Sequence, residues 1–571
     1  MKKCRIFGLL LSISLLFSLV TATVFALEED AITVGNTDNG EVEIDFSEED
    51  VLCSDGMIDS LTMTNKVVFS INSSSEEILS SIKDDSDFFI DGSVIDGGNE
   101  VDINEYYDFS NTSKYNIAEW AYSADLISEE EKIECFCDLI IDRNFENITC
   151  LSGVFDSIQQ YELYNEVSIE LGEKIDEIFS VPFGDDADGS EISTMSISIE
   201  GKYSSENFTI HYDKSEVDPE EAEEVANYLE EVREFFIEMG FKTPKLQLLK
   251  STYHVYLDPD YKLDDTSVQG CTVPSSSLTN TCASYIVIYK FISLNDIAQE
   301  VIAHEYFHAI QCAYNKQSGW FMEACADWGA INVTGNSTTI DDQIYNFIKD
   351  QPSLPSTDGY GEVLFPLALH RKYGRDVILS IYEAYNGYSD TIDESDLRDV
   401  ITEGIQNTGS TENFSDAYRT MASYLYDTEY WYSSICSVPT KWENFWIDER
   451  NITKDEDYIR CSKKLDYLTS GYYEFKLPVG FKGTIEIEIQ ADNVYGKSQV
   501  YIKNTDRHII YYNTTDSSGR SAFTKTDIDG GISSIGLIIS NLHTYDSMNF
   551  GIKITLYSSE KDYGECGNGI Y

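Results

Sequence analysis

Positive charge is scarce in this sequence. Its 571 residues carry 39 Lys and Arg against 101 Asp and Glu, a formal net charge of −62. A phosphate backbone or an anionic membrane surface would be repelled, which argues against nucleic-acid binding. Histidine is scarcer still, at 7 in the whole chain, so two placed close together stand out. No Cys-x-x-Cys pair occurs, which argues against a zinc ribbon. Beyond residue 26 no apolar run reaches the length of a membrane span. No repeat of fixed period is present. What the chain does have is apolar material: 42% hydrophobic residues, with 13% aromatic. Together with the length, that suggests roughly two to four folded domains.

The first 26 residues read as a signal peptide. Lys2, Lys3 and Arg5 precede the apolar run from Ile6 to Val20, and small residues suited to cleavage follow up to Ala26. The alternative is a retained anchor, for which the run is short. Cys4 lies before the run, badly placed for lipoprotein attachment. The expectation is therefore a secreted, extracellular protein, with cell-surface association as a variant and no transmembrane span once the signal is removed. Asn-x-Ser/Thr glycosylation acceptors recur from Asn72 to Asn513. Of 12 cysteines, removing Cys4 leaves 11, so at least one is free or paired with another molecule. Cys271 with Cys282, Cys312 with Cys325, and Cys436 with Cys461 are candidate bridges in an oxidising compartment. Sequence leaves the connectivity open.

Texture divides the rest. Residues 27–195 form an acidic region, with a loosely structured leader or small domain to about 100 and helices over 115–180. It reads either as a propeptide folding over a cleft or as an accessory domain. Gly184 to Ser190 is a linker by composition. From 196 to 455 strands and helices mix. Asp218-Pro219 starts a strong helix that Gly240 ends. Short strands are expected at 246–249, 253–257 and 285–289 (YIVIY). A helix is expected from Ser293 to Ala313, with Ser293 and Asp296 spaced as a capping pair. Residues 456–571 alternate apolar and polar in short runs such as TIEIEIQ, the pattern of a β-sandwich. Its expected role is to bind substrate or a surface, or to aid export.

The chemistry concentrates in His304-Glu305-Tyr306-Phe307-His308. Residues four apart share a helix face, so both imidazoles can reach one ion. Zinc favours imidazole nitrogen, and its catalytic sites use three protein ligands. Glu305 is placed to take a proton from an attacking water. Gln311 and Tyr314 stand where a metzincin would have Gly and His, which excludes that class. In Trp320 to Trp328, Glu323 offers a third ligand. Asp327, one turn later on the same face, suits a carboxylate that orients a ligating histidine. The plain alternative for Glu323 is a solvated helix position.

HEYFH followed by ExxxD resembles the gluzincins, the thermolysin-like superfamily of zinc metallopeptidases. The longer run HEYFHAIQ…GWFMEACADW resembles a group of secreted prokaryotic metalloproteases with an HEFFHAIQ…WFMEGxAxW-type signature. The likeness is tightest over about 285–375 and looser over about 200–455. It implies an α+β zincin-type catalytic domain, a small sheet with an edge strand plus helices bearing HExxH and ExxxD. The all-β sandwich would follow it, and a mixed, largely helical region would precede it. It further implies Zn2+ on His304, His308 and Glu323, Glu305 as general base, Asp327 behind the ligands, and a polypeptide substrate. The edge strand of such peptidases pairs with extended substrate, and YIVIY fits that place. Tyr360 is the candidate oxyanion donor, with a structural aromatic as the alternative reading. His370 and His254 are weaker candidates. An aminopeptidase would need an acidic anchor for the substrate's amino group, and Cys271 to Tyr285 is Ser/Thr-rich instead. The expected function is a secreted zinc endopeptidase; the alternative is a non-catalytic surface or adhesion protein on the same scaffold. The sequence does not speak to oligomeric state.

Overall fold

The computed structural model describes residues 32–36, 41–46, 68–71, 75–83, 92–96, 99–102, 113–123, 126–141, 154–155, 157–158, 161–162, 165, 167–179, 201–247, 250–258, 269–274, 281–289, 293–314, 319–350, 352–354, 361–388, 394–426, 447–451, 458–492, 495–504, 509–513, 520–529, 531–543 and 546–558. The signal peptide, the 184–190 linker, Cys436 and Tyr360 lie outside them. Over the described residues the fold is mixed α and β, with four sheets.

The region before 180 holds more strand than its composition suggests. Five strands, β1 (Ile32–Asn36), β2 (Glu41–Phe46), β3 (Val68–Ile71), β4 (Gly92–Asp96) and β5 (Asn99–Asp102), pair antiparallel in sequence order. The alternation in EVEIDF is the local reason, masked in the sequence by the acidic background. One helix, α1 (Ser75–Lys83), lies between β3 and β4. Later described helices include α2 (Lys114–Ser123), α3 (Glu129–Ile141) and α4 (Ile169–Phe179). Ser128 and Glu131 cap α3 reciprocally. The Ser128 amide donates to the Glu131 carboxylate at 2.7 Å, and the Glu131 amide donates to the Ser128 hydroxyl at 3.2 Å.

The central sheet has the order β6-β7-β8-β10-β9. Its strands are β6 (Gly201–Ser204), β7 (Phe208–Tyr212), β8 (Tyr253–Asp258), β9 (Gly270–Pro274) and β10 (Ser284–Tyr289). β7, β8 and β10 run parallel; β6 and β9 are antiparallel edges. This corrects the placement of YIVIY. That strand, β10, is interior, and β9 is the edge. The strand expected at 246–249 is absent at 246 and 247; only an isolated bridge joins Lys245 to Ala283.

Helix α5 (Pro219–Glu238) crosses between β7 and β8, its start held by the Glu221 carboxylate accepting from the Asp218 amide at 3.0 Å. One sheet face, with Ile210, Val255, Leu257, Ile286 and Ile288, packs on α5 and the helix after β10. The other face, with Tyr256, Val273, Tyr285, Val287 and Tyr289, shares a core with helices α1 to α4. The apolar residues of YIVIY therefore serve two cores at once. The described helices of the N-terminal region cover the sheet face opposite the HExxH helix, so they do not overlie that helix.

Among the described residues seven more helices follow in this part: α6 (Asp296–Gln311), α7 (Gly319–Thr334), α8 (Asp341–Asp350), α9 (Leu364–Tyr373), α10 (Asp376–Tyr385), α11 (Glu394–Asn407) and α12 (Phe414–Tyr426). Two sheets follow. One is β11 (Ile447–Asn451), β13 (Thr469–Lys476), β18 (Ile532–Asn541), β15 (Gly496–Asn504) and β16 (Ile509–Asn513). The other is β12 (Tyr458–Leu465), β19 (Met548–Ser558), β14 (Lys482–Ala491) and β17 (Arg520–Asp529). Ile485, Ile487 and Ile489 of TIEIEIQ are buried between them with Val500, Leu537 and Ile552. β11 pairs with β13, so the first sheet begins before 456. Against α12, the Tyr501 hydroxyl meets Ser423 Oγ at 2.8 Å, and the Tyr418 hydroxyl donates to the Leu468 carbonyl at 2.8 Å. Among the described residues no helix is long and apolar enough to cross a membrane.

Candidate metal centre

Helix α6 starts at Asn295, whose Oδ1 accepts the Ala298 amide at 2.9 Å. Asn295 is the cap, so Ser293 and Asp296 are not the capping pair. Asp296 in the first turn suits the positive end of the helix dipole. Further along, His304 and His308 face α7, where Glu323 sits one turn in. The two imidazole Nε2 atoms are 2.9 Å apart. Glu323 Oε2 lies 3.2 Å from one and 3.3 Å from the other. Glu323 is 2% exposed, which rules out the solvated reading.

This triangle fits a metal ion. Bonds of about 2.0–2.1 Å in tetrahedral geometry put donor atoms about 3.3 Å apart. Two imidazole nitrogens and a buried carboxylate oxygen stand near that separation, and both Glu323 oxygens are buried without a hydrogen bond. A cation between the three groups satisfies all of them. His304, His308 and Glu323 are thus a set that can hold a metal ion.

The other ring nitrogens show which tautomer each histidine takes. His304 Nδ1 is 2.7 Å from Asp327 Oδ1, a carboxylate that can only accept, so Nδ1 carries the proton. That leaves the Nε2 lone pair for an ion. His308 Nδ1 is 2.6 Å from Gln311 Oε1. The Gln311 amide nitrogen donates to the Met322 carbonyl at 2.9 Å and to the Tyr382 hydroxyl at 2.8 Å, so its oxygen faces His308 and accepts. In the sequence Gln311 stands out only as the residue where a metzincin would have glycine. Its position three residues after His308, on the same helix face, was the signal available.

Charge agrees with this geometry. Burial works against a charged His304, but Asp327 and then Glu323 hold its pKa well above the usual imidazole value. Burial likewise opposes charge on His308, and Glu323 raises it. Burial alone would raise the Glu323 carboxyl, yet His308 and His304 hold it well below its ordinary range. Burial pushes Asp327 up to about 6, against the pull of His304. Protons and a metal ion compete for the same Nε2 atoms. Raised imidazole pKa values extend that competition to higher pH, so ion affinity should fall as pH drops, beginning above the usual histidine range. Each displaced proton contributes up to about tenfold per pH unit. Calorimetric titration in buffers of different ionisation enthalpy should register proton release on metal uptake; none between pH 6 and 8 would contradict the arrangement.

Glu305 is 5% exposed and faces the edge strand rather than α7. The Thr272 hydroxyl of β9 lies 2.9 Å from Glu305 Oε2 and 2.7 Å from the Glu305 carbonyl oxygen, with one proton to give. Burial raises the Glu305 pKa, while His308 and His304 pull the other way. A Cβ at Gly270 would come within 2.9 Å of Glu305 Cγ and of Val301 Cγ1. Gly270→Ala should therefore displace the Glu305 side chain while leaving the three metal donors in place. The expected result is unchanged metal content with any turnover that depends on Glu305 reduced by about tenfold or more, read by metal analysis and rate measurement on the same sample. Neither Thr272 nor Gly270 was singled out in the sequence, because their relation to Glu305 depends on strand order.

The remaining candidates lie elsewhere. His254 is on the sheet face with Tyr256, its Nδ1 3.0 Å from His211 Nε2. His370 Nδ1 accepts the Trp328 indole N–H at 3.2 Å. Neither belongs to the metal-binding set. Tyr360 lies outside the described residues; the turn after it, Gly361–Val363, packs on α7. None of Cys271, Cys282, Cys312 and Cys325 is in a disulfide, so neither the 271–282 nor the 312–325 bridge is formed. Cys271 Sγ meets the Tyr289 hydroxyl at 3.2 Å. Cys325 is buried with its thiol on Tyr382.

No protein-family model and no curated protein matches the chain. Among solved structures it is similar to PliG of Salmonella Typhimurium, a periplasmic inhibitor of g-type lysozyme. Identity is 12% and the TM-score 0.14, over 19% of this chain and 99% of that one. It is also similar to the pre-peptidase C-terminal domain of collagenase from Bacillus anthracis. There identity is 8% and the TM-score 0.14, over 19% of this chain and 94% of that one. At such TM-scores neither likeness bears on the metal centre.

Proposed function

We propose that the chain is a secreted zinc-dependent peptidase of the gluzincin kind, acting as an endopeptidase, with its catalytic domain of zincin type. The observation that carries this reading is the convergence of His304 Nε2, His308 Nε2 and Glu323 Oε2, with Glu305 on the same helix as the two histidines and held beside them by Thr272 of the neighbouring edge strand. Two imidazoles and one carboxylate are a zinc donor set of the catalytic rather than the closed structural sort. Bound there, zinc supplies a Lewis acid that polarises the scissile carbonyl and makes a water acidic near neutral pH.

The chain's own residues do the rest. Glu305 removes a proton from the attacking water and delivers it to the leaving amine. Thr272 holds the Glu305 carboxylate toward that task. Asp327 and Gln311 hold both imidazoles with Nε2 inward. Among the described residues β9 pairs on one side only, so its outer edge can take an extended polypeptide next to Glu305. The presence of Glu305 beside His304, His308 and Glu323 favours the catalytic reading over the non-catalytic one.

The test is hydrolysis of a casein-type substrate by the purified chain before and after chelation. Activity should vanish with the metal and return with stoichiometric zinc. Inactivity of the zinc-loaded protein, with or without residues 27–195, would favour the non-catalytic reading.

A further inference from the structure

Among the described residues six cysteines are outside any disulfide, and two differ from the rest: Cys282 and Cys312 are partly exposed as residues, while Cys135, Cys137, Cys271 and Cys325 are buried. They are also neighbours. The Cys282 amide donates to the Cys312 carbonyl at 2.9 Å. A backbone hydrogen bond of that kind holds the two Cα atoms about 5–6 Å apart, the separation that a disulfide spans. Their thiols hydrogen-bond to each other. The pairings suggested by proximity in sequence are blocked by direction. Cys271 points into the N-terminal core on the far sheet face, and Cys325 points at Tyr382.

We propose that Cys282 and Cys312 are a disulfide site, and that the bridge clamps the end of the HExxH helix to the central sheet. Cys312 is the C-terminal cap of α6, one turn beyond His308, and Cys282 leads into β10. The closed loop would contain β10 and all of α6, including His304, Glu305 and His308. The bridge forms by thiol–disulfide exchange with a disulfide oxidant such as oxidised glutathione. One thiolate attacks the oxidant's S–S bond to make a mixed disulfide. The second displaces the oxidant's remaining thiol, so one S–S bond forms as one breaks, and two thiols leave. The juxtaposition of Cys282 with Cys312 selects this pair, whereas the other four lie apart from them and are buried.

The proposal does not depend on the peptidase reading, and its test reads chemistry rather than activity. The full chain is equilibrated in glutathione buffers of graded redox poise, alkylated, digested and mapped without reduction. A cross-linked peptide pair joining Cys282 to Cys312 is expected, disappearing on reduction. In the oxidised state the melting midpoint should stand about 5–10 °C above the reduced state. Cys282→Ser, Cys312→Ser and the double variant should each lose that difference to the same extent, because either change removes the whole bridge. Two thiols that alkylate fully even in the most oxidising buffer would overturn the proposal. So would a link from Cys312 to Cys325, or losses in the single variants that add in the double. If the variants fail to fold, the peptide map of the parent chain decides alone.

Discussion

Glu305→Gln should keep its metal and lose about 10²–10⁴-fold in turnover. The reasons are geometric. Glu305 is not one of the three converging donors, so its replacement leaves the ion's ligands untouched. Gln is the same size, and its carbonyl oxygen can still accept from the Thr272 hydroxyl that now holds Glu305 Oε2 at 2.9 Å. What the variant lacks is a group that can take up and return a proton. The loss should fall on kcat with little change in KM, since ground-state contacts are preserved. Inductively coupled plasma analysis and steady-state rates on one preparation separate the two effects. Equal activity in parent and variant would remove Glu305 as the base without touching the metal centre.

Glu323→Ala should do the reverse and lose the ion first. It removes one of three donors and leaves two imidazoles facing each other across 2.9 Å without the one carboxylate that meets a bound dication directly. Loss of a supporting outer group already costs about 10–100-fold in metal affinity. Loss of the ligand itself should exceed the upper end of that range. Activity disappears as a consequence, and excess zinc restores at most a small part of it. The imidazoles respond as well. Glu323 raises the pKa of both rings, so each should fall in the metal-free variant relative to the metal-free parent. Histidine proton resonances followed across a pH series would record that fall. Undiminished metal content in Glu323→Ala would take the residue out of the ligand set.

How much of this was legible in the sequence follows from how local each feature is. The two histidines and Glu305 lie within five consecutive residues on one helix, so helix geometry alone sets them up. Glu323 and Asp327 needed only the next helix to turn back, and the apolar residues around both acids signalled a buried face. Strand order was not local. YIVIY was assigned to the edge although its unbroken apolar run is the mark of a strand covered on both faces, and both faces are indeed buried. The true edge, GCTVP, is short and sits in a Ser/Thr-rich stretch, so its link to Glu305 was invisible before the sheet was known. The cysteines misled for a related reason. Closeness in sequence suggested 271–282 and 312–325, whereas the fold turns those side chains to different faces and brings 282 to 312.

The most direct measurement is X-ray absorption at the zinc edge of the reconstituted protein, alongside the same spectrum for Glu323→Ala. The parent spectrum should fit two imidazole nitrogens and carboxylate or water oxygens at about 2.0–2.1 Å, with no sulfur. The variant should bind little or no zinc. A shell containing sulfur at about 2.3 Å, or a parent spectrum without imidazole scattering, would contradict it.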